Sequence, residues 1–253
     1  MADAPLAIVS AMAQELRALL PLLQQRRSVE RAGRTFHLGE LHGHAVVLAL
    51  SGIGKVAAAS TATLMLHSFQ ARALVFTGVA GGLRHGVNVG DVVVARQLLQ
   101  HDLDVSPLFP RFVVPSSDRS HFDVDTGLAN ALAEAAQRCL DGADALLGAA
   151  TRHLFNIEHA SLHCGLIVSG DRFVSSAAHS HELRELLPEA LAVEMEGAAV
   201  AQVCADAGVP FAVLRCISDR ADDSAHVDFS AFIDAVASTY TAAIVNDWLQ
   251  RSA

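Results

Sequence analysis

Short apolar runs that stop at Ser, Thr or Glu, most of them followed by a stretch of helical spacing, restrict the fold of this chain more than any other feature. Leu6–Ser10 reads as a first strand. Met12–Leu23 follows with Leu16, Leu19, Leu20 and Leu23 on one helical face, and Pro21 should kink or restart that helix. Phe36–Leu41 and Ala45–Ser51 flank His42-Gly43-His44 as a hairpin, and Ser51-Gly52-Ile53-Gly54 then turns into an Ala-rich helix over Lys55–His67. Ala73–Thr77 is a buried strand running into a second Gly-rich turn, Gly78-Val79-Ala80-Gly81-Gly82. Further strands are expected at Asp91–Ala95, Gly165–Ser169, Ala190–Glu194 and Phe211–Ser218. Helices are expected over Thr126–Cys139, from Glu194 to Ala207 (stopped by Gly208 and Pro210), and through Phe229, Phe232, Ile233, Val236, Tyr240, Ile244 and Trp248. This order predicts one α/β domain over residues 1–253, a three-layer sandwich with a central mixed sheet flanked by helices. Two segments do not fit: His101–Asp125, broken by Pro107, Pro110 and Pro115 into a long loop, and Gly148–Ala160, which reads as an insertion.

Composition excludes several function classes. The 253 residues are 52% hydrophobic and 18% charged, enough for a sizeable core and against disorder. A net charge of −9 disfavours a general nucleic-acid binder, which needs a basic surface. Lys55 is the only lysine. Cys139, Cys164, Cys204 and Cys216 lie far apart in apolar surroundings and read as buried free thiols of a reducing compartment. The histidines lack metal-site spacing, and His101-Asp102 alone is not one. Met1–Ile8 lacks a signal-peptide pattern, and the sequence has no run of the roughly 18 apolar residues a membrane span needs. A soluble cytoplasmic protein is expected, without metal, cofactor, nucleic acid or membrane partner.

In open α/β sheets, ligands bind beyond the carboxyl ends of strands. Those positions carry Met12-Ala13-Gln14-Glu15, the two Gly-rich turns, Ser169-Gly170-Asp171-Arg172-Phe173, Glu194-Met195-Glu196 and Ser218-Asp219. Arg215 lies four residues before Asp219. Each has an ordinary reading. Glu15 could be a solvated helix residue, and the glycines could serve only tight turns. Neither Gly-rich turn matches a phosphate-binding loop. Asp171-Arg172 could be a surface ion pair, Asp219 to Asp223 a charged loop or cap, and Phe173 a core residue. Val193-Glu194-Met195-Glu196-Gly197 is harder to set aside, because two Glu at an apolar strand–helix junction are costly unless paired.

Six segments in order carry a resemblance: Ala11-Met12-x-x-Glu15, Ser51-Gly52-Ile53-Gly54-Lys55, Thr77 to Gly82, Val168-Ser169-Gly170-Asp171, Val193-Glu194-Met195-Glu196 and Ile217-Ser218-Asp219-x-Ala221-Asp222. The chain resembles the methylthioadenosine/S-adenosylhomocysteine nucleosidases of the nucleoside phosphorylase superfamily. The resemblance implies that superfamily's α/β fold, a homodimer, and cofactor-free hydrolysis of a purine nucleoside. It implies Glu15 as the base that activates water, Glu196 as the group gripping the ribose hydroxyls, and Asp219 as the acid at adenine N7. Phe173 and Val174 would hold the base, Met195 would pack under the ribose, and Arg215 would support Glu15 or Glu196. Met12, Ile53, Val79, Ala80, Gly81, Glu194, Ser218 and Phe229 complete the expected substrate contacts. The chain departs from the family pattern at Val79, where Ser is frequent, and at Asp104–Pro110, which replaces a more aromatic loop.

Three rivals stay open. A phosphorylase would use phosphate instead of water, but the Arg and Ser of its clamp appear here as Phe76 and Val79. A futalosine-type hydrolase would take another base or a bulkier 5′ group. A non-catalytic nucleoside-binding protein could share the fold, yet would not need Glu15, Glu196 and Asp219 together.

Overall fold

A computed structural model describes residues 4–157, 159–222 and 229–252 of the chain. Strands β1 (Leu6–Ser10), β4 (His44–Leu50) and β5 (Ala73–Gly82) pair in parallel and form the middle of the sheet. β2 (Gln24–Arg31) and β3 (Arg34–Leu41) extend one edge antiparallel. On the other side lie β6 (Val92–Gln100), β7 (His121–Asp123), β8 (Leu162–Ser169), β9 (Ala190–Glu194) and β10 (Phe211–Asp219). β10 pairs with both β5 and β6, so β5, β9, β8, β6 and β10 close into a ring. The expected mixed sheet flanked by helices is present, and half of it curls on itself.

Helices cover the sheet in two groups. α2 (Lys55–Ser68) packs on α6 (Gly197–Ala207), while α1 (Ala13–Leu19) and α3 (Thr126–Asp141) pack on α8 (Ser238–Arg251). α4 (Ala143–Leu154) and α5 (Ala177–Leu186) complete the long connections. A short α7 (Phe229–Phe232) leads through a π-helical turn, Ile233–Ala237, directly into α8. α6 ends where expected, with Gly208 left-handed at φ 66°.

Several expectations need correction. Met12–Leu23 is not one helix: α1 stops at Leu19, a 3-10 turn holds Pro21, and the chain then enters β2. β2 escaped the reading because its residues, QQRRSVER, are almost all exposed and show no apolar alternation. The first part of Gly148–Ala160 is helical: α4 runs to Leu154, kinked at Gly148 with φ 74°. The long loop after His101 contains β7 and a bridge between Val114 and Arg119. Cys164 is exposed, whereas the other three thiols are buried.

The most consequential correction concerns Gly78–Gly82. It is strand, not turn: Gly78 to Gly81 pair with Arg215 to Asp219 of β10, and Gly81 and Gly82 pair with β9. Pairing with β10 along most of the segment, and with β9 at Gly81 and Gly82, outweighs the poor strand propensity of glycine. The lack of side chains admits close neighbours. A Cβ at Gly81 would sit 2.9 Å from both Ala221 Cβ and Asp219 Oδ1. Gly81→Ala should therefore cost about 1–3 kcal/mol by overpacking. Urea unfolding should show a lower midpoint with an unchanged slope.

Candidate active site

The carboxyl ends of β1, β5, β9 and β10 meet around one cleft of about 140 Å³. Ala11 and Met12 enter it after β1, Val79, Ala80 and Gly81 from β5, and Val193 to Glu196 from the end of β9. Ser218 and Asp219 close β10. Ile53, Arg172, Phe173, Val174 and Phe229 form the rim. Every predicted site residue lines the cleft except Glu15 and Arg215, which lie fully buried behind its wall. Phe173 is not core: it is 39% exposed, with its ring edge-on to Phe229 at 6.0 Å.

Behind the cleft, Arg215 is held on all sides. Its Nη2 and Nε donate to Glu194 Oε2 at 2.6 and 3.2 Å, and Nη1 donates to the carbonyls of Phe76 and Leu214. The guanidinium stacks over the Phe76 ring at 4.1 Å. Glu194 in turn accepts the backbone N–H groups of Glu196 and Gly197 and the Ser169 hydroxyl. Those N–H groups open α6, and a carboxylate there satisfies helix donors that have no partner within the helix. Arg215 was expected to serve Glu15 or Glu196; its direct partner is Glu194, and it acts on the other two through space. The Glu194 carboxylate is thus taken up by the protein, although the residue borders the cleft.

Three carboxyls remain. Glu196 Oε1 accepts the Gly54 N–H at 2.8 Å, at the start of α2. Burial, reinforced by the neighbouring Glu194 charge, pushes its carboxyl up to about 7. Glu15 accepts from the Met12 N–H at 3.3 Å and from the Thr241 hydroxyl at 3.1 Å. Burial pushes it up to about 7 as well, against the pull of Arg215 and both hydrogen bonds. The reading of Glu15 as a solvated helix residue is wrong. Asp219 accepts from Ser218 Oγ and from the Ala221 N–H, each at 2.8 Å. Asp223, at the end of that expected charged loop, lies outside the described residues.

The rim is tied by the sole lysine. Lys55 Nζ pairs with Asp102 at 2.6 Å and reaches Asp171 at 3.8 Å, while the Lys55 N–H donates to Asp171 Oδ1 at 2.8 Å. Asp102 also accepts the Asp171 N–H. Asp171 therefore pairs with Lys55 rather than Arg172. Gly54, at φ 93°, lets the chain turn sharply enough to present consecutive N–H groups to Glu196 and Asp171. Among the described residues, no group of three or more His, Cys, Asp or Glu is arranged to hold a metal ion. No helix among them is long and apolar enough to cross a membrane.

Residues 5–249 match the family model of the phosphorylase superfamily. The chain belongs to that superfamily. A 5′-methylthioadenosine/S-adenosylhomocysteine nucleosidase from Chromohalobacter salexigens is 37% identical over 246 residues, covering 97% of each chain. The crystal structure of such a nucleosidase from Neisseria meningitidis, in complex with methylthio-immucillin-A, superposes with a TM-score of 0.85 at 36% identity, covering 98% of this chain and 99% of that one. A futalosine hydrolase mutant of Helicobacter pylori superposes with a TM-score of 0.82 at 34% identity, covering 98% and 99%.

Two functional features of this superfamily member were missed in the sequence. Thr241 lies on the buried face of α8 with Val245 and Trp248, so a polar residue on an apolar stripe was the available signal. The Lys55–Asp102–Asp171 cluster left none, because its members are remote in sequence.

The elevated Glu15 carboxyl makes a stability prediction. Between its ordinary value of 4.5 and about 7, the unfolded chain has lost this proton while the folded chain keeps it. Folding then binds the extra proton, so stability falls as pH rises through that window. Glu15→Gln removes the effect. The melting temperature of Glu15→Gln relative to wild type should climb from pH 5 to pH 8, at roughly 2–4 °C per kcal/mol for a chain of this size. A pH-independent difference in calorimetry would show that Glu15 does not titrate there.

Proposed function

We propose that the protein hydrolyses the N-glycosidic bond of 5′-methylthioadenosine and S-adenosylhomocysteine, releasing adenine. The observation that carries this reading is a cleft with Glu196 and Asp219 on its wall and Glu15 directly behind it, in a chain alike end to end to nucleosidases of that name. In this reading, water oxygen bonds to ribose C1′ as the C1′–N9 bond breaks and its electron pair passes to the purine. Glu15 takes the water proton, and a value near 7 suits a base that works near neutral pH. Glu196 faces the sugar, where a carboxylate stabilises the growing positive charge. Asp219 delivers a proton to N7, held in place by Ser218 and the Ala221 N–H. Phe173 and Phe229, edge-on to each other, line the open side of the cleft, and Val174 and Met195 supply apolar walls.

Water is favoured over phosphate as nucleophile. Arg215 is committed to Glu194 and two carbonyls, and Arg172 stands on the rim beside Phe173. Among the described residues, that leaves no paired cations to grip a dianion at the floor. The futalosine reading is supported by the Helicobacter pylori neighbour and differs in the group at the open rim. We place the protein in the cytoplasm as a homodimer. The exposed apolar side chains of Ile53, on the cleft rim, and of Val56 and Leu108 support such an interface.

The test is base release from methylthioadenosine, S-adenosylhomocysteine, futalosine, 5′-deoxyadenosine, adenosine and inosine, with and without phosphate. Phosphate-independent release of adenine from the first two is expected. Strict phosphate dependence would make the enzyme a phosphorylase. Asp219→Asn should fold normally and lose about 10²–10⁴-fold in kcat; retention of most activity would remove Asp219 from the mechanism.

A further inference from the structure

Thr241 is an unusual threonine for a helix. Ser and Thr within helices ordinarily return their hydroxyl proton to the carbonyl four residues earlier. Ser238 and Thr239, at the start of the same helix, do so, donating to Asp234 and Ala235 at 2.7 and 3.1 Å. Thr241 instead donates across the helix interface to Glu15 Oε1, 226 residues away in sequence. Both residues are buried to within 1%. The other hydrogen bond to this carboxyl, from the Met12 N–H, is longer at 3.3 Å. Arg215 faces Glu15 from β10, but its hydrogen bonds go to Glu194, Phe76 and Leu214. Cys216, also on β10, keeps its thiol proton because burial raises it well above the ordinary value. On α1 and the π-helical turn, the nearest charges are Arg17 and Asp234, an exposed pair at 3.8 Å.

The donor sits on a fixed element. α8 is anchored by His44 to the Leu249 carbonyl, by His42 to Asn246, and by Arg138 to Asp247. The same helical stretch begins at Phe229 on the cleft rim. The π-helical turn between them adds a residue to the helical repeat and so changes which face of α8 meets α1; such turns recur at functional sites.

We propose that Thr241 is a positioning residue for Glu15, fixing the orientation of its carboxyl and favouring its ionised form. The proposal rests on the hydrolase reading only where Glu15 is called the base; the link between the two side chains stands apart from it. A hydroxyl that donates to a carboxylate stabilises the charged form. Its loss shifts the titration of Glu15 to higher pH and leaves less base at neutrality.

The experiment compares Thr241→Val, which keeps the shape and removes the hydroxyl, with Thr241→Ser, which keeps the hydroxyl. Carboxyl carbons of ¹³C-labelled Glu are titrated by NMR in the unliganded protein, and Glu15 is assigned by its absence from Glu15→Gln. The Glu15 midpoint should rise by roughly one pH unit in Thr241→Val, the size of one lost bond to a charged group, and return in Thr241→Ser. The Glu196 midpoint should stay. In base release, the acid limb of kcat/KM should move in the same direction, with kcat falling about 5-fold at pH 7 and KM little changed. Should Thr241→Val fail to fold, Thr241→Ala replaces it with the same expectation. An unmoved Glu15 midpoint in the folded variant overturns the proposal, whether or not any nucleoside is cleaved, and so does a Ser variant that behaves like Val. No base release from any nucleoside, with the midpoint moved, overturns the hydrolase reading and leaves the Thr241–Glu15 link standing.

Discussion

The ion pair between Arg215 and Glu194 is the interaction on which the rest of this site depends. Neither side chain is more than 3% exposed. A lone buried charge would be expensive, and removing either partner of such a pair typically costs about 3–5 kcal/mol. Here each charge has further partners: carbonyls and the Phe76 ring for Arg215, helix N–H groups and Ser169 for Glu194. The pair joins β9 to β10, touches β5 through the Phe76 carbonyl, and caps α6. That junction is what brings Glu196 and Asp219 to the same cleft from different strands.

The arrangement also governs the free carboxyls. With Glu194 neutralising Arg215, Glu15 and Glu196 feel only the remainder of the positive charge. Burial then wins for both, and each comes to about 7. A second cation at the floor would drive both values back down. Two carboxyls that exchange protons near neutrality follow from one arginine that is already spoken for.

Much of this was legible in the sequence because the relevant physics is local. Leu6–Ser10, Ala190–Glu194 and Phe211–Asp219 are uniformly buried strands, and their apolar runs announce them. Glu194 and Glu196 stood out because a carboxylate in an apolar setting needs a partner. What the sequence hid is non-local. β2 is an exposed edge whose only apolar signal is Val29. Gly78–Gly82 takes its strand conformation from β9 and β10, not from its own propensities. α5 was passed over because its buried face is confined to Ser180 and Leu183. Thr241 and Lys55 act through residues remote in sequence, and spacing cannot reveal such pairs.

The charge inventory bears on the choice of nucleophile. Around the cleft floor, one guanidinium stands against Glu194, Glu15 and Glu196. A phosphate dianion entering that space would meet like charge and, among the described residues, no unpaired donor fork. In the proposed hydrolysis, a neutral water would meet Glu15, held by Thr241 and the Met12 N–H. In the same proposal, the sugar would meet Glu196 as it becomes cationic; Gly54 at the head of α2 orients that carboxyl. The same excess of carboxyl over cation thus repels the anionic nucleophile and favours the cationic transition state, so water specificity and catalysis would share a single electrostatic origin.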